Sequence, residues 1–343
     1  MNQKLSNVKK KILNFVQEGE NIDESQPEYF LSEFERALAC EIQTLDKRVQ
    51  HLINFVLSNK GKRLRPLLLH SCCDIKTKHT FDDAVNASII VELIHIATLV
   101  HDDVIDNADT RRSKPTLHNI TKTNEAILVG DILFSHALEM ASMFPDTMVC
   151  REVASATKLT CMGEVSQSFA QCNYDTTLSE YEQIVIGKTG KLFACACRLG
   201  ARISNQRHSV IGSVEQFAEN LGLAYQMYDD TIDVFGSESN AHKTLKTDLK
   251  TGKVTLPVIV LLESCCKEEK QPIIDMLSDY ENNESKLNKI FEAYSVKQKC
   301  CDIIAEKVDA IKNCIANVSY MSISDKMKYI SENVCNKIKN TLV

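Results

Sequence analysis

Nearly all of this 343-residue chain reads at one period, that of the α-helix. Apolar residues recur three and four positions apart in EYFLSEFERALACEI, residues 28–42. The same spacing runs through residues 82–106, 124–142, 148–172, 180–203 and 213–235. Residues 1–60 read as amphipathic helix with acidic breaks, and the tail from 268 is helical and more charged. Only 11 Gly and 6 Pro occur, mostly between these segments. Pro66, after SNKGKRLR, suits the first turn of a helix. No run alternates as a strand does. The pattern predicts one all-α domain over residues 1–343, a bundle of ten or more helices.

The net charge of −6 is mildly acidic and argues against a nucleic-acid partner. No uninterrupted apolar run approaches membrane-spanning length, so no transmembrane helix is expected. MNQKLSNVKKKILNF lacks the apolar stretch of a secretory signal and lacks arginine. The 14 cysteines are scattered without a CxxC pair, which disfavours a zinc site. Most sit among apolar neighbours, as in LFACACRLGA. They read as small buried side chains of a reducing compartment, hence a cytoplasmic protein.

Two helical segments end in acids. LIHIATLV leads into Asp102, Asp103 and Asp106; NLGLAYQM leads into Asp229, Asp230 and Asp233 at the same spacing. Positions i and i+4 share a helix face, so Asp102 and Asp106 point together, with Asp103 to one side. Carboxylates at a helix C-terminus oppose its dipole. Folding alone does not favour this, and doing it twice suggests two helices facing across one cavity. Mg²⁺, a hard ion that takes carboxylate and phosphate oxygens, would offset the repulsion. Cations stand nearby: Lys62 and Arg65 in GKRLRP, the tandem Arg111 and Arg112, Lys188 in GKTGKLF, and Lys243 and Lys253 around Asp248. Tandem arginines suit phosphate oxygens. The whole set fits two diphosphates, one bridged by metal to the acids and one held by basic groups alone.

Taken in order, GKRLRP, HDDVIDNADTRRSKPT, MGEVSQ, GKTGKLF, YQMYDDTID and HKTLKTDLKTGKVTLPVI resemble the motifs of the trans-isoprenyl diphosphate synthases, the polyprenyl synthetase family. The motif-bearing core spans about residues 61–257. The chain departs from the family pattern at Ser113, at His242 and Thr244 around Lys243, and at Gly190. None of these removes a charged group that the family uses.

The resemblance implies the isoprenoid synthase fold, a helical bundle around a deep central cavity. It implies a prenyltransferase that joins an allylic diphosphate, such as farnesyl or geranylgeranyl diphosphate, to isopentenyl diphosphate. It assigns Mg²⁺ to Asp102, Asp106 and Asp229, supported by Asp103, Asp230 and Asp233. Arg111, Lys188 and Lys253, with Lys243, would neutralise the leaving diphosphate. Isopentenyl diphosphate would lie on Lys62, Arg65, His95 and Arg112. Thr189 and Gln226 would steady the carbocation, and the released diphosphate would take the proton.

In the family, bulk five residues before the first acidic motif limits product length. Ala97 stands there, beside Thr98, about 7.5 Å along the helix from Asp102. A small residue implies an open shaft and a long-chain all-trans product. A short-chain farnesyl or geranylgeranyl diphosphate synthase is the alternative. A terpene cyclase would carry a different second metal motif and have no use for Lys62 and Arg65. An HD phosphohydrolase would need a second His-Asp pair. A non-catalytic subunit of a heteromeric synthase tends to lose one acidic motif, and both are intact here. The resemblance also implies a homodimer, and an insoluble product implies loose membrane association.

Overall fold

The computed structural model describes residues 26–59, 61–112, 114–236, 245–318 and 320–342. The helix expected over residues 1–25, Lys243, and the departures at Ser113, His242 and Thr244 lie outside the described residues.

The helices of two turns or more are α1 (Pro27–Ile42), α2 (Lys47–Ser58), α3 (Leu64–Cys72), α4 (Lys78–Ile105), α5 (Thr123–Ser142), α6 (Met148–Phe169) and α7 (Leu178–Val185). They continue with α8 (Lys191–Ile203), α9 (His208–Phe235), α10 (Leu256–Ser264), α11 (Lys267–Ser278), α12 (Tyr280–Ala293), α13 (Val296–Ala316) and α14 (Met321–Leu342). The all-α expectation holds, with one small exception. Thr110–Arg111 pairs antiparallel with Lys114–Pro115. A two-residue ladder has too few positions to show alternation, so periodicity could not reveal it.

α4 is the central strut. Thr77 caps it, its Oγ1 accepting from the Thr80 amide at 3.1 Å. Its 28 residues span about 42 Å. Phe81, Ala84, Ile90, Leu93, Ala97 and Val100 are all buried, so the helix is enclosed on several sides. By length and apolarity it could cross a membrane, but most of it lies inside the bundle, which accounts for its composition. α5 packs along it, and α8, α3 and α1 close further sides.

The expected helix over 180–203 is not continuous. α7 runs into a π-helical segment, Ile186–Gly190, before α8 resumes. Glycines let neighbouring helices approach this segment closely. A Cβ on Gly163 of α6 would lie 2.3 Å from the Lys188 amide nitrogen. One on Gly222 of α9 would lie 2.9 Å from the Gly190 Cα. The π segment is therefore clasped between α6 and α9.

All 14 cysteines are free thiols. Seven, among them Cys72, Cys195, Cys197 and Cys300, are buried as expected. Cys40, Cys161, Cys172 and Cys266 are exposed, so the burial expectation holds for only part of the set.

Candidate active site

The two acidic runs meet at the π segment and at the loop before α10. From the end of α4, Asp103 turns to the hairpin and accepts from Arg111 Nε at 2.7 Å. Asp106 accepts from Lys253 Nζ at 3.0 and 3.1 Å. The Asp102 carboxylate accepts no hydrogen bond among the described residues. Burial pushes its carboxyl up to about 6, Lys188 opposes that shift, and Glu164 and Asp106 add to it.

On α9 the acids divide between functions. Asp230 is 5% exposed and Asp233 2%. Asp230 accepts from Tyr181 Oη at 2.6 Å and from Gln226 Nε2 at 2.8 Å. Asp233 accepts from the Asp248 amide at 3.1 Å and Thr247 Oγ1 at 3.2 Å. It thus secures the turn that carries Lys253, whose amide bonds the Asp248 carbonyl. Asp229 is half-buried, on the stripe of Tyr225 and Asp233. Asp103, Asp230 and Asp233 are thus each engaged by a neighbouring side chain or amide.

Lys188 and Thr189 link the runs. Lys188 Nζ donates to Glu164 at 2.9 Å and to Gln167 at 2.7 Å, both on α6. Thr189 Oγ1 bonds Gln226 Oε1 at 3.3 Å. The sequence reading named MGEVSQ but assigned no role to Glu164 or Gln167. Their i, i+3 spacing, which places both on one helix face, was the available signal.

The second basic set is divided: His95 and Arg112 line one cavity, which Arg111 and Asp103 also line, while Lys62 and Arg65 meet Tyr225 and Phe193. Lys62 Nζ donates to Tyr225 Oη at 3.4 Å. The Arg65 guanidinium lies 4.8 Å from the centre of the Phe193 ring, and burial brings its pKa down to about 10, so it stays charged at neutral pH. Arg112 Nη1 donates to the Asn59 carbonyl at 2.8 Å. A Cβ on Gly61 would sit 3.1 Å from that same nitrogen, so a side chain there would crowd the arginine. His95 lines a cavity with Arg112, Gly61 and Asn59. Burial, then Arg65, Arg111 and Arg112, hold its pKa well below the ordinary histidine range. It is a neutral hydrogen-bonding group rather than a further positive charge. Tyr225, which the sequence reading left unassigned, joins this set from one turn before Asp229.

Ala97 is fully buried, on the stripe of His101, whose ring packs against Gly130 of α5. Thr98 shares the stripe of Asp102, and its hydroxyl donates to the His95 carbonyl at 2.8 Å.

Among the described residues, no three His, Cys, Asp or Glu side chains already converge as a metal cage. Mg²⁺ does not need one, since it commonly takes one or two carboxylates and completes its shell with water and phosphate oxygens. Asp102, without a hydrogen-bond donor and beside Asp106 and Glu164, has the oxygen-only chemistry such an ion takes.

A helical bundle that joins two Asp-Asp-x-x-Asp runs through lysines, beside further basic residues, defines a prenyltransferase acting on diphosphate esters. Residues 46–294 match the family model for polyprenyl synthetase. The chain belongs to the polyprenyl synthetase family. It is 30% identical over 307 residues to a geranylgeranyl diphosphate synthase of Saccharolobus solfataricus, covering 84% of this chain and 89% of that one. It is 29% identical over 328 residues to the chloroplastic solanesyl diphosphate synthase 1 of Arabidopsis thaliana, covering 89% and 79%. Among solved structures, a polyprenyl synthase of Caulobacter crescentus complexed with calcium and isoprenyl diphosphate superposes with a TM-score of 0.80. That match has 25% identity and covers 90% of this chain and 94% of that one.

Proposed function

We propose that the chain condenses an allylic diphosphate with isopentenyl diphosphate, head to tail, to make a long-chain all-trans polyprenyl diphosphate with Mg²⁺. The observation that carries this is the joint at Lys188. It faces the first acidic run, while its neighbour Thr189 bonds Gln226 beside the second. Asp102, Asp106 and Asp229 would hold Mg²⁺, which supplies Lewis-acid polarisation of the leaving diphosphate. Arg111, Lys188 and Lys253 place positive charge where that diphosphate gains negative charge. Lys62, Arg65, Arg112 and neutral His95 bind isopentenyl diphosphate. The allylic C–O bond breaks, the isopentenyl alkene forms the new C–C bond, and a proton leaves to the released diphosphate. The Thr189 and Gln226 oxygens lie along the path between the two acidic runs, where they steady positive charge on carbon.

Small Ala97 supports a long product. Ala97→Phe is expected to shorten it, at a cost of about 1–3 kcal/mol in stability from overpacking a buried site. Product sizing by thin-layer chromatography reads the change, and an unchanged length would remove Ala97 as the stop.

Exposed Ile127, Leu128 and Leu138 on α5, with Met162 and Val165 on α6, support a homodimer, measurable as molar mass by light scattering. We place the enzyme in the cytoplasm, with loose membrane association through its insoluble product.

The test is purified protein with farnesyl diphosphate, radiolabelled isopentenyl diphosphate and Mg²⁺, with and without EDTA. EDTA-sensitive long prenols are expected. Short prenols would keep the chemistry and overturn the chain-length reading. No incorporation from any primer would favour a non-catalytic subunit.

A further inference from the structure

One buried acid that lines the cavity of His95 and Arg112 has no part in the chemistry above. Glu92 interrupts the apolar run SIIVELIHIA on α4 and is 3% exposed. Its Oε1 accepts from Arg63 Nη1 at 2.7 Å. Its Oε2 is buried and has no hydrogen-bond partner among the described residues. A carboxylate in such a place is costly unless positive charge surrounds it. Positive charge does: Glu92 lines the cavity that also holds Arg63, Arg111 and Arg112.

Arg63 connects this acid to the binding turn. It is 7% exposed and forks between two carboxylates, with Nε donating to Glu35 Oε1 of α1 at 2.8 Å. Its backbone is left-handed, with φ of 50°, at the N-cap of α3. A residue with a side chain holds that conformation only when its surroundings enforce it. The two-carboxylate clamp does so. Arg63 follows Lys62 directly and precedes Arg65 by two residues, so the clamp sets how both are presented. Glu92 also opposes the loss of positive charge that burial imposes on Arg65 and Arg112.

We propose that Glu92 is a positioning residue for the isopentenyl diphosphate pocket. Through Arg63 it fixes the Lys62–Arg65 turn, and its charge offsets the arginines gathered around the cavity before an anion arrives. The inference rests on reading Lys62, Arg65, His95 and Arg112 as that pocket.

The test uses the full chain with Glu92→Gln, Glu92→Asp, Glu35→Gln and, as a reference, Lys62→Ala. Initial rates are measured with each diphosphate varied in turn. Glu92→Gln is expected to raise the KM for isopentenyl diphosphate about tenfold, well beyond any fall in kcat, with less than about a twofold change for the allylic substrate. Glu92→Asp keeps the charge and should raise it by only about threefold. Glu35→Gln removes the more exposed of the two carboxylates and should have the smaller effect of the two Gln variants. Equal rises in both KM values, or a loss confined to kcat, would reduce Glu92 to a structural role and overturn the proposal. If Glu92→Gln does not fold, Glu92→Asp is read by the same two titrations, and selectivity for isopentenyl diphosphate is still required. Lys62→Ala separates the layers. If it leaves the isopentenyl KM unchanged, the pocket reading itself fails; if it raises that KM while the Glu92 variants do not, only the role of Glu92 fails.

Discussion

Asp102→Asn is expected to lose turnover by about 10²–10³-fold and yet to fold more stably than the parent chain at neutral pH in EDTA. The first effect follows from removing a carboxylate from the first acidic run. The second follows from its surroundings. Burial without a hydrogen-bond donor pushes the Asp102 carboxyl up to about 6, so the folded protein holds that proton more tightly than the unfolded chain does. The sign is therefore the reverse of a salt-bridged acid. Below the ordinary carboxylate range both states are protonated and there is no penalty. As pH rises through about 6 the folded state must bear a buried charge, and stability falls. Asparagine bears no such charge, so its advantage should be absent near pH 4 and reach about 1–3 kcal/mol by pH 7. Urea denaturation at the two pH values, beside kcat with Mg²⁺, reads both effects. A variant that is inactive and less stable at pH 7 would show that Asp102 serves the fold instead.

Gly163→Ala is expected to damage both turnover and stability. The new Cβ would sit 2.3 Å from the Lys188 amide nitrogen and 2.7 Å from the Gly187 carbonyl carbon. Both are backbone atoms, so no side-chain rotation relieves the clash, and α6 or the π segment must move. That movement draws Lys188 away from Glu164 and Gln167 and strains the Thr189–Gln226 contact. Misplacement on this scale costs about a hundredfold in kcat, and overpacking costs about 1–3 kcal/mol. Gly212→Ala, in α9 with open space around it, is the matched control. It should stabilise the helix by about 0.5–1 kcal/mol. Thermal melts and kcat on both variants settle the matter, and wild-type turnover in Gly163→Ala would defeat the clasp argument.

Much of this architecture was legible in sequence because burial acts locally. The apolar periods placed α4, α5, α6 and α9 to within a few residues, and i, i+4 spacing put Asp102 and Asp106 on one side. What periodicity does not carry is the choice of partner. Asp103 bonds Arg111, eight residues away, across a hairpin too short to alternate. Asp106 meets Lys253, 147 residues away. Asp230 is held by Tyr181, in a helix whose pattern gives no hint of the pairing. The two acidic runs looked alike by spacing, and tertiary contacts make their carboxylates unequal. Glu164, Gln167 and Tyr225 went unassigned for the same reason, since each is polar at a position that could equally have faced solvent. His95, set beside the basic residues by the family resemblance, is kept neutral by burial and the arginines around it.

The five residues Ile186–Gly190 also bear on how this chain can change. Each residue of an α-helix turns the backbone by about 100°. A π turn holds one residue more than the α turn it replaces, so α7 and α8 are out of phase by about that angle. Deleting one residue here would restore regular α-helix and rotate everything beyond it. Arg198, which reaches Glu152 and Glu215 from α8, would swing off both. The extra residue works as a phase shifter, aiming Lys188 at one neighbour and the face of α8 at others along a single rod. This span of the rod must therefore keep its residue count.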